Sequence, residues 1–339
     1  MKREWNKETK RLAFCSGIIL LALLLGIYAC VHLAVLKGRM AAAPERAGSP
    51  DENAATGRAA VYADGKAYVL RDNLSTLLLI GTDADGGQES SHSYNNQQQA
   101  DFLMLLVLDR NEDLCTAIQL NRDTMTNIPI LSVDGHRVGD TRAQLALAHT
   151  YGDGLEKSCE NTVEAVSRLL YGAEIDRYFC ITMDAVPVIN DLLGGITVAV
   201  ADDFSALDGT LEKGETIRLT GEQALTFVRA RGGMADSSNT ARMNRQWTYL
   251  EALGAELKTQ YSSNPGLIGD LCKSISGQTV TNCSIAELED MARTFHAVRL
   301  LKYTPKGETK RGQTFLEFYP DEELLRRLVL QVFYMQADT

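Results

Sequence analysis

The sequence predicts an α/β fold: a layered α-β-α domain built on a central mixed sheet, preceded by one N-terminal transmembrane helix. Three observations predict it. Near the N-terminus, 25 consecutive residues (12–36) include no Asp, Glu, Lys or Arg. Beyond them, short apolar runs of strand length end in polar residues. Among and after those runs lie longer stretches of helical pattern, and mixed strands covered by helices make a layered sheet.

The uncharged segment reads "LAFCSGIILLALLLGIYACVHLAVL". At about 1.5 Å per residue it is long enough to cross a hydrocarbon core of about 30 Å. Residues 1–11, "MKREWNKETKR", set Lys2, Arg3, Lys7, Lys10 and Arg11 against Glu4 and Glu8. Basic flanks stay cytoplasmic, so the N-terminus is expected inside and the rest of the chain outside the cell membrane. A cleaved signal peptide is the competing reading, but its apolar core usually runs about 7–15 residues. The expectation is therefore an uncleaved, single-pass signal anchor.

Residues 37–72 are rich in Ala, Gly and charge and carry Pro44 and Pro50, the composition of a juxtamembrane linker with room for a short ordered end. No second low-complexity break follows and no internal repeat is visible, so residues 73–339 are read as one large extracellular domain.

Within that domain, strands are expected at 75–83, 102–110, 115–123, 177–184 and 196–204. Their short apolar runs with polar terminations fit strands apolar on both faces. Helices are expected at 142–151, 159–171, 184–193, 239–260, 284–298 and 321–336. "TGEQ" at 220–223 and "SIAE" at 284–287 are capping boxes that start helices.

The formal charge of −10 and a pI near 5.1 exclude a global basic field for nucleic acid. Any anion must then be met by a local cluster. "FVRARGGMADSSNTARMNRQ" (227–246) supplies one, with Arg229, Arg231, Arg242 and Arg245. Arg229 and Arg231 share a face only on a strand. Either the helix begun at Thr220 ends before Arg229, or only one of the pair enters a site. Arg242, Arg245 and Gln246 stand at i, i+3 and i+4 on a helix begun by Ser238 or Asn239, where side chains are neighbours.

Other polar groups gather at strand ends, where α/β sheets hold their sites: Asp83 after the first strand, Asp101 opening the second, and Arg122 with Asp123 ending the third. Carboxylates such as Asp83 and Asp101 suit a hard cation, and arginines suit a pyrophosphate through bidentate bonds. Taken singly, each has a plainer reading as a turn former, helix cap or solvated ion pair. The sequence contains no GxxxxGK[ST], HExxH, GxSxG or CxxC, so common nucleotide, zinc-protease, serine-hydrolase and redox motifs are missing. Of seven cysteines, Cys15 and Cys30 lie in the apolar segment. Cys115 and Cys180 lie in strand-like runs, as small buried hydrophobes do.

Five segments in order resemble the LytR–CpsA–Psr family of bacterial cell-wall ligases. They are "LLLIGTDADGG", "ADFLMLLVLDRNEDLCTAIQLNRDTM", "ALAHTYGDG", "INDLLGGITVAV" and "LTGEQALTFVRAR" followed by "RMNRQ". The resemblance implies transfer of a glycopolymer, such as teichoic acid or capsular polysaccharide, from a polyprenyl-pyrophosphate carrier to peptidoglycan, leaving a phosphodiester. By position it implies Mg²⁺ (or Mn²⁺) at Asp83 and Asp101. It also implies catalytic roles for Arg122, Asp123, Arg229 and Arg231, and substrate binding by Arg242, Gln246 and the neighbouring Arg245. The implied partners are the lipid-linked glycan, peptidoglycan and the cytoplasmic membrane, with no nucleic acid. Three positions depart from the pattern. Asn121 stands where proline is usual, no arginine follows the "GTD" aspartate, and Asn239 lies near the place of a usual aspartate, with Asp236 as the alternative occupant of that place. A non-catalytic receptor for anionic glycan and a polyprenyl-pyrophosphate hydrolase are the competing readings.

Overall fold

A computed structural model describes residues 60–84, 96–132, 134–295 and 298–337. The expected anchor at 12–36 and most of the linker lie outside the described residues. Among the described residues, no helix is long and apolar enough to cross a membrane.

Six strands form the central sheet, in the order β11 (Thr279–Thr281), β8 (Arg177–Thr182), β3 (Leu74–Thr82), β4 (Ala100–Asp109), β5 (Leu114–Leu120) and β12 (Arg299–Tyr303). β3–β8 and β5–β12 pair parallel and the other neighbours antiparallel, so the sheet is mixed. β3 and β4 are apolar on both faces because both faces are covered. In their register Leu77 meets Leu106, Leu79 meets Met104 and Gly81 meets Phe102.

The strand period of two divides these residues between two cores. Leu77, Leu79, Met104, Leu106, Phe179 and Ile181 face one side. There they pack against α2 (Ala185–Leu192), α3 (Gly221–Arg229), α4 (Asn239–Tyr261), α5 (Leu267–Ser274) and α6 (Ile285–Phe295). Leu78, Ile80, Leu103, Leu105, Tyr178 and Cys180 face the other. That side packs against a 3₁₀ segment (Leu145–Thr150), α1 (Glu156–Leu169) and α7 (Glu322–Phe333). The result is the α-β-α layering that the sequence predicts.

Both capping boxes form. Thr220 and Gln223 bond reciprocally at the start of α3, and Ser284 and Glu287 do so before α6.

Four expectations are corrected. The linker read as 37–72 includes a hairpin, β1 (Ala60–Ala63) with β2 (Lys66–Leu70), and β2 also pairs with the last strand, Tyr334–Gln336. That same pairing ends the last helix at Phe333, short of 336. The strand expected at 196–204 stops at Ala199, where β9 (Ile196–Ala199) ends its pairing with β10 (Thr216–Leu219). The helix expected at 142–151 is instead the end of β7 (Arg137–Gln144) followed by the 3₁₀ segment. β7 pairs with β6 (Met125–Leu131), and ladder bonds outweigh the helical pattern there.

Candidate functional site

Strand direction assembles the site. β3 ends, β4 begins and β5 ends at the same edge of the sheet, so Asp83, Asp101 and Arg122 converge although the sequence separates them. The turn after β5 is tightly specified. Asn121 Oδ1 accepts the Asp123 N–H at 2.9 Å, and the Asn121 carbonyl accepts Thr124 N–H at 3.0 Å and Thr124 Oγ1–H at 2.6 Å. The 3₁₀ segment adds Ala146 N–H to the Arg122 carbonyl at 3.0 Å and Leu145 N–H to the Thr124 carbonyl at 2.8 Å. Arg122 is thus presented from a fixed backbone.

The fourth contributor is the N-terminus of α4, where Ser238 Oγ caps Ala241 N–H at 3.1 Å. Gln119 Nε2 donates to the Met243 carbonyl at 3.0 Å and ties this helix to β5. Arg242, in the first turn, is 2% exposed. Its Nη1 lies 2.6 Å from Asp101 Oδ2, while Nε and Nη2 donate to Asn239 Oδ1 at 3.2 and 2.6 Å. Arg122 Nη1 pairs with the other Asp101 oxygen and its Nη2 donates to Gln99 Oε1. One carboxylate therefore holds two guanidiniums.

Arg122 Nε is buried 3.4 Å from Asp123 Oδ1, within ion-pair reach but outside hydrogen-bond geometry. Asp123 Oδ1 is taken instead by Gln144 Nε2 at 3.1 Å. Asp83 Oδ1 accepts the Gln99 N–H at 2.7 Å.

The cluster is electrostatically under strain. Burial lowers the Arg242 guanidinium to about 10, and the like charge of Arg231 adds to the effect, opposed by Asp123 and Asp83. Burial also lowers Arg122, with Arg242 and Arg231 contributing and Asp123 and Asp83 opposing. Three guanidiniums in a partly dry site favour an anion carrying more than one charge.

The expected residues do not all meet. α3 runs through Arg229, which is exposed and lies outside the Asp101 ion pairs. Arg231, half-buried beyond the helix end, is the member of the pair that acts on Arg122 and Arg242. Arg245, expected to bind substrate, sits in a structural clamp apart from the Asp101 ion pairs. It donates to the carbonyls of Phe227 (3.1 Å) and Ala230, and pairs with Asp202 at 2.7 Å. It is 4% exposed, and the pocket it lines is shared with Asp202, Asp236 and Asn244 rather than with Asp101. Gln246 turns to the Val228 carbonyl at 3.4 Å and lines an apolar pocket rather than the guanidinium cluster.

That pocket lies beside the site and is walled by Gly81, Phe102, Ile181, Met183 and Leu250 among others. Thr182 Oγ1 is a buried hydroxyl without a hydrogen-bond partner in its wall. A second pocket lies on the same sheet face, lined by Leu79, Met104, Leu106 and Trp247. Leu250 walls both. The two apolar pockets, set side by side under α4 with Leu250 as a shared wall, are together called the trough.

Asp83 and Asp101 carry the hard carboxylate oxygens that Mg²⁺ prefers, and in this arrangement Arg122 and Arg242 hold both Asp101 oxygens and the Gln99 amide oxygen. Gln99, Asn121 as an anchor and Gln144 were not legible as site residues. Gln99 is one of three consecutive glutamines, and nothing in the run distinguishes it. Gln144 falls in the stretch read as helix.

Comparison with known proteins places this arrangement. The model of the LytR_cpsA_psr family matches residues 43–325. A polyisoprenyl-teichoic acid–peptidoglycan teichoic acid transferase, TagU, of Halalkalibacterium halodurans is 25% identical over 256 residues, covering 74% of this chain and 76% of that one. The TagU of Oceanobacillus iheyensis is 24% identical over 338 residues, covering 96% and 95%. Among solved structures, TagT bound to LIIa-WTA superposes with a TM-score of 0.59 at 22% identity, covering 76% of this chain and 89% of that one. TagV of B. subtilis gives 0.57 at 23%, covering 76% and 96%.

Proposed function

The chain belongs to the LytR–CpsA–Psr family, and from that premise we propose that it transfers a glycopolymer from a polyprenyl-pyrophosphate carrier to peptidoglycan, leaving a phosphodiester link. One observation carries the proposal: Arg122 and Arg242 converge on Asp101, with Arg231 acting on both, at the mouth of an apolar trough. A substrate with a doubly charged head and a long apolar tail matches that combination. The relatives named as teichoic acid transferases support the polymer class.

In this reading the two guanidiniums leave Asp101 for the diphosphate when the substrate enters, and Arg231 joins them. Bidentate guanidinium bonds hold phosphate oxygens in a fixed orientation. The trough takes the polyprenyl chain. A sugar hydroxyl of peptidoglycan attacks the phosphorus that carries the glycan, and the bond from that phosphorus to the bridging oxygen breaks. Polyprenyl phosphate leaves with the bridging oxygen, and the hydroxyl proton passes to a carboxylate of the cluster, Asp101 or Asp123. Charge growing on the leaving phosphate is met by preorganised guanidiniums, the main means by which proteins speed phosphoryl transfer. Asp83 and Asp101 would hold Mg²⁺ (or Mn²⁺), which when bound neutralises part of the diphosphate charge. Arg229, exposed at the end of α3, is assigned to the rim, toward the glycan. An anchor at 12–36 would keep the domain outside, beside the leaflet that presents the carrier.

A hydrolase would use water as the acceptor at the same site, and a receptor would bind without product. Release of polyprenyl phosphate, measured with and without uncrosslinked peptidoglycan, separates the three. Release that requires peptidoglycan is the expected result. Equal release without it indicates a hydrolase, and saturable binding with no release indicates a receptor.

A further inference from the structure

On the sheet face opposite the trough lies a second cluster that the transfer reaction does not use. His149 comes from the 3₁₀ segment, Cys159 from α1 and Cys180 from β8, and all three are fully buried. His149 Nε2 lies 3.8 Å from Cys180 Sγ and 4.0 Å from Cys159 Sγ, and the three donor atoms all fall within 4.8 Å of one another. We infer that His149, Cys159 and Cys180 form a binding site for one thiophilic d¹⁰ cation, with zinc the favoured ion.

Spacing is the first argument. With metal–sulfur bonds of about 2.3 Å and metal–nitrogen bonds of about 2.0–2.1 Å, the edges of a trigonal or tetrahedral cage measure about 3.6–4.0 Å. The two nitrogen–sulfur separations of 3.8 and 4.0 Å are edges of that size. A disulfide would need the sulfurs at about 2.05 Å and would give the imidazole nothing to bind.

Orientation is the second. His149 Nδ1 lies 3.1 Å from the Gln98 carbonyl oxygen, which can only accept. Nδ1 therefore carries the hydrogen and Nε2 offers its lone pair to the sulfurs, the arrangement in which a backbone carbonyl fixes a ligating imidazole.

Charge is the third. Binding Zn²⁺ displaces two thiol protons, and two thiolates with a neutral imidazole then cancel the ion's charge in a fully buried site. A cuprous ion would leave one negative charge uncompensated. Magnesium prefers oxygen donors and is excluded by the sulfur pair.

The cation would join three elements of this layer: the 3₁₀ segment, α1 and β8. It would also act on the site edge indirectly. Gln98, which accepts from His149, precedes Gln99, whose backbone and side chain hold Asp83 and Arg122.

The test is the metal content of the full chain, purified in detergent without chelator, together with its spectrum after cobalt exchange. Expected are about one zinc per chain and a thiolate-to-cobalt charge-transfer band. Both should be lost in Cys180→Ala and kept in Cys115→Ala, a buried thiol elsewhere in the sheet. The wild-type cobalt spectrum needs no variant, so misfolding of Cys180→Ala does not decide the matter. A folded wild type with no stoichiometric metal and no cobalt band overturns the inference. Recovery of Cys159 and Cys180 joined as a disulfide also overturns it.

Discussion

Asn239 donates its Nδ2–H to Asn121 Oδ1 at 2.7 Å, a buried bond between residues 118 positions apart. Asn121 fixes the turn that presents Arg122, and Asn239 Oδ1 receives two donors of Arg242. The pair therefore couples the two guanidinium-bearing segments without adding a negative charge. The two asparagines that the sequence reading set apart from the family pattern are in direct contact.

Asn239→Asp should weaken anion binding. A carboxylate there would pair with Arg242 and compete with phosphate, costing about 1–1.5 kcal/mol, or roughly tenfold in affinity. Calorimetric titration of the full chain with inorganic pyrophosphate checks this. Unchanged affinity would mean that Arg242 does not meet the anion.

Arg245→Ala should act on stability rather than on binding. It removes bonds to Phe227 and Ala230 and leaves Asp202 without its guanidinium, a loss of about 3 kcal/mol. Arg231→Ala, at a half-buried side chain beyond a helix end, should stay within about 1 kcal/mol of wild type. Denaturant unfolding of both variants tests the assignment, and a reversed order would refute it.

Leu250→Trp should discriminate between carriers by length. Leu250 walls both pockets of the trough, so a larger ring there obstructs a long chain more than a short one. The expected signature is a KM that rises with prenyl length in the variant and not in the wild type. A uniform loss across lengths would argue against the trough as the lipid path.

Pyrophosphate affinity should fall as pH rises through about 10. Burial lowers Arg242 to that value, so its charge is lost earlier than for an ordinary arginine. The sign for stability is opposite: the cost of burying the charge is present below pH 10 and is relieved above it. Binding curves from pH 7 to 11, compared with Arg242→Ala, should converge at the upper end. Affinity that stays flat to pH 11 in the wild type would contradict the shift.

The parts of this account visible in the sequence are those set by short-range pattern. Continuous apolar runs marked β3, β4 and β8, and the Thr220–Gln223 capping box marked α3. Convergence of Asp83, Asp101 and Arg122 was foreshadowed because each ends or opens a strand. What was not legible depends on pairing across the chain. The β6–β7 hairpin carries an Asp134-Gly135 turn, with Gly135 at φ 81°. Its strands are too polar on the exposed side to stand out from a helix beginning at 142. Arg245 illustrates the limit for site residues. Its i+3 spacing from Arg242 places the two on neighbouring faces, yet α3 packs against one of them and the sheet edge meets the other. Only the positions of those neighbours separate a clamp from a ligand.

The central claim is that Arg122, Arg231 and Arg242 hold a lipid-linked diphosphate during transfer. The most direct measurement incubates the full chain in detergent with a short polyprenyl-pyrophosphoryl saccharide and uncrosslinked peptidoglycan, with and without Mg²⁺, and reads the product by mass spectrometry. The account predicts a glycan-phosphate adduct on peptidoglycan that requires Mg²⁺ and disappears in Arg231→Ala while that variant remains folded. An adduct undiminished in Arg231→Ala, or tight binding of the carrier with no adduct from the wild type, would contradict it.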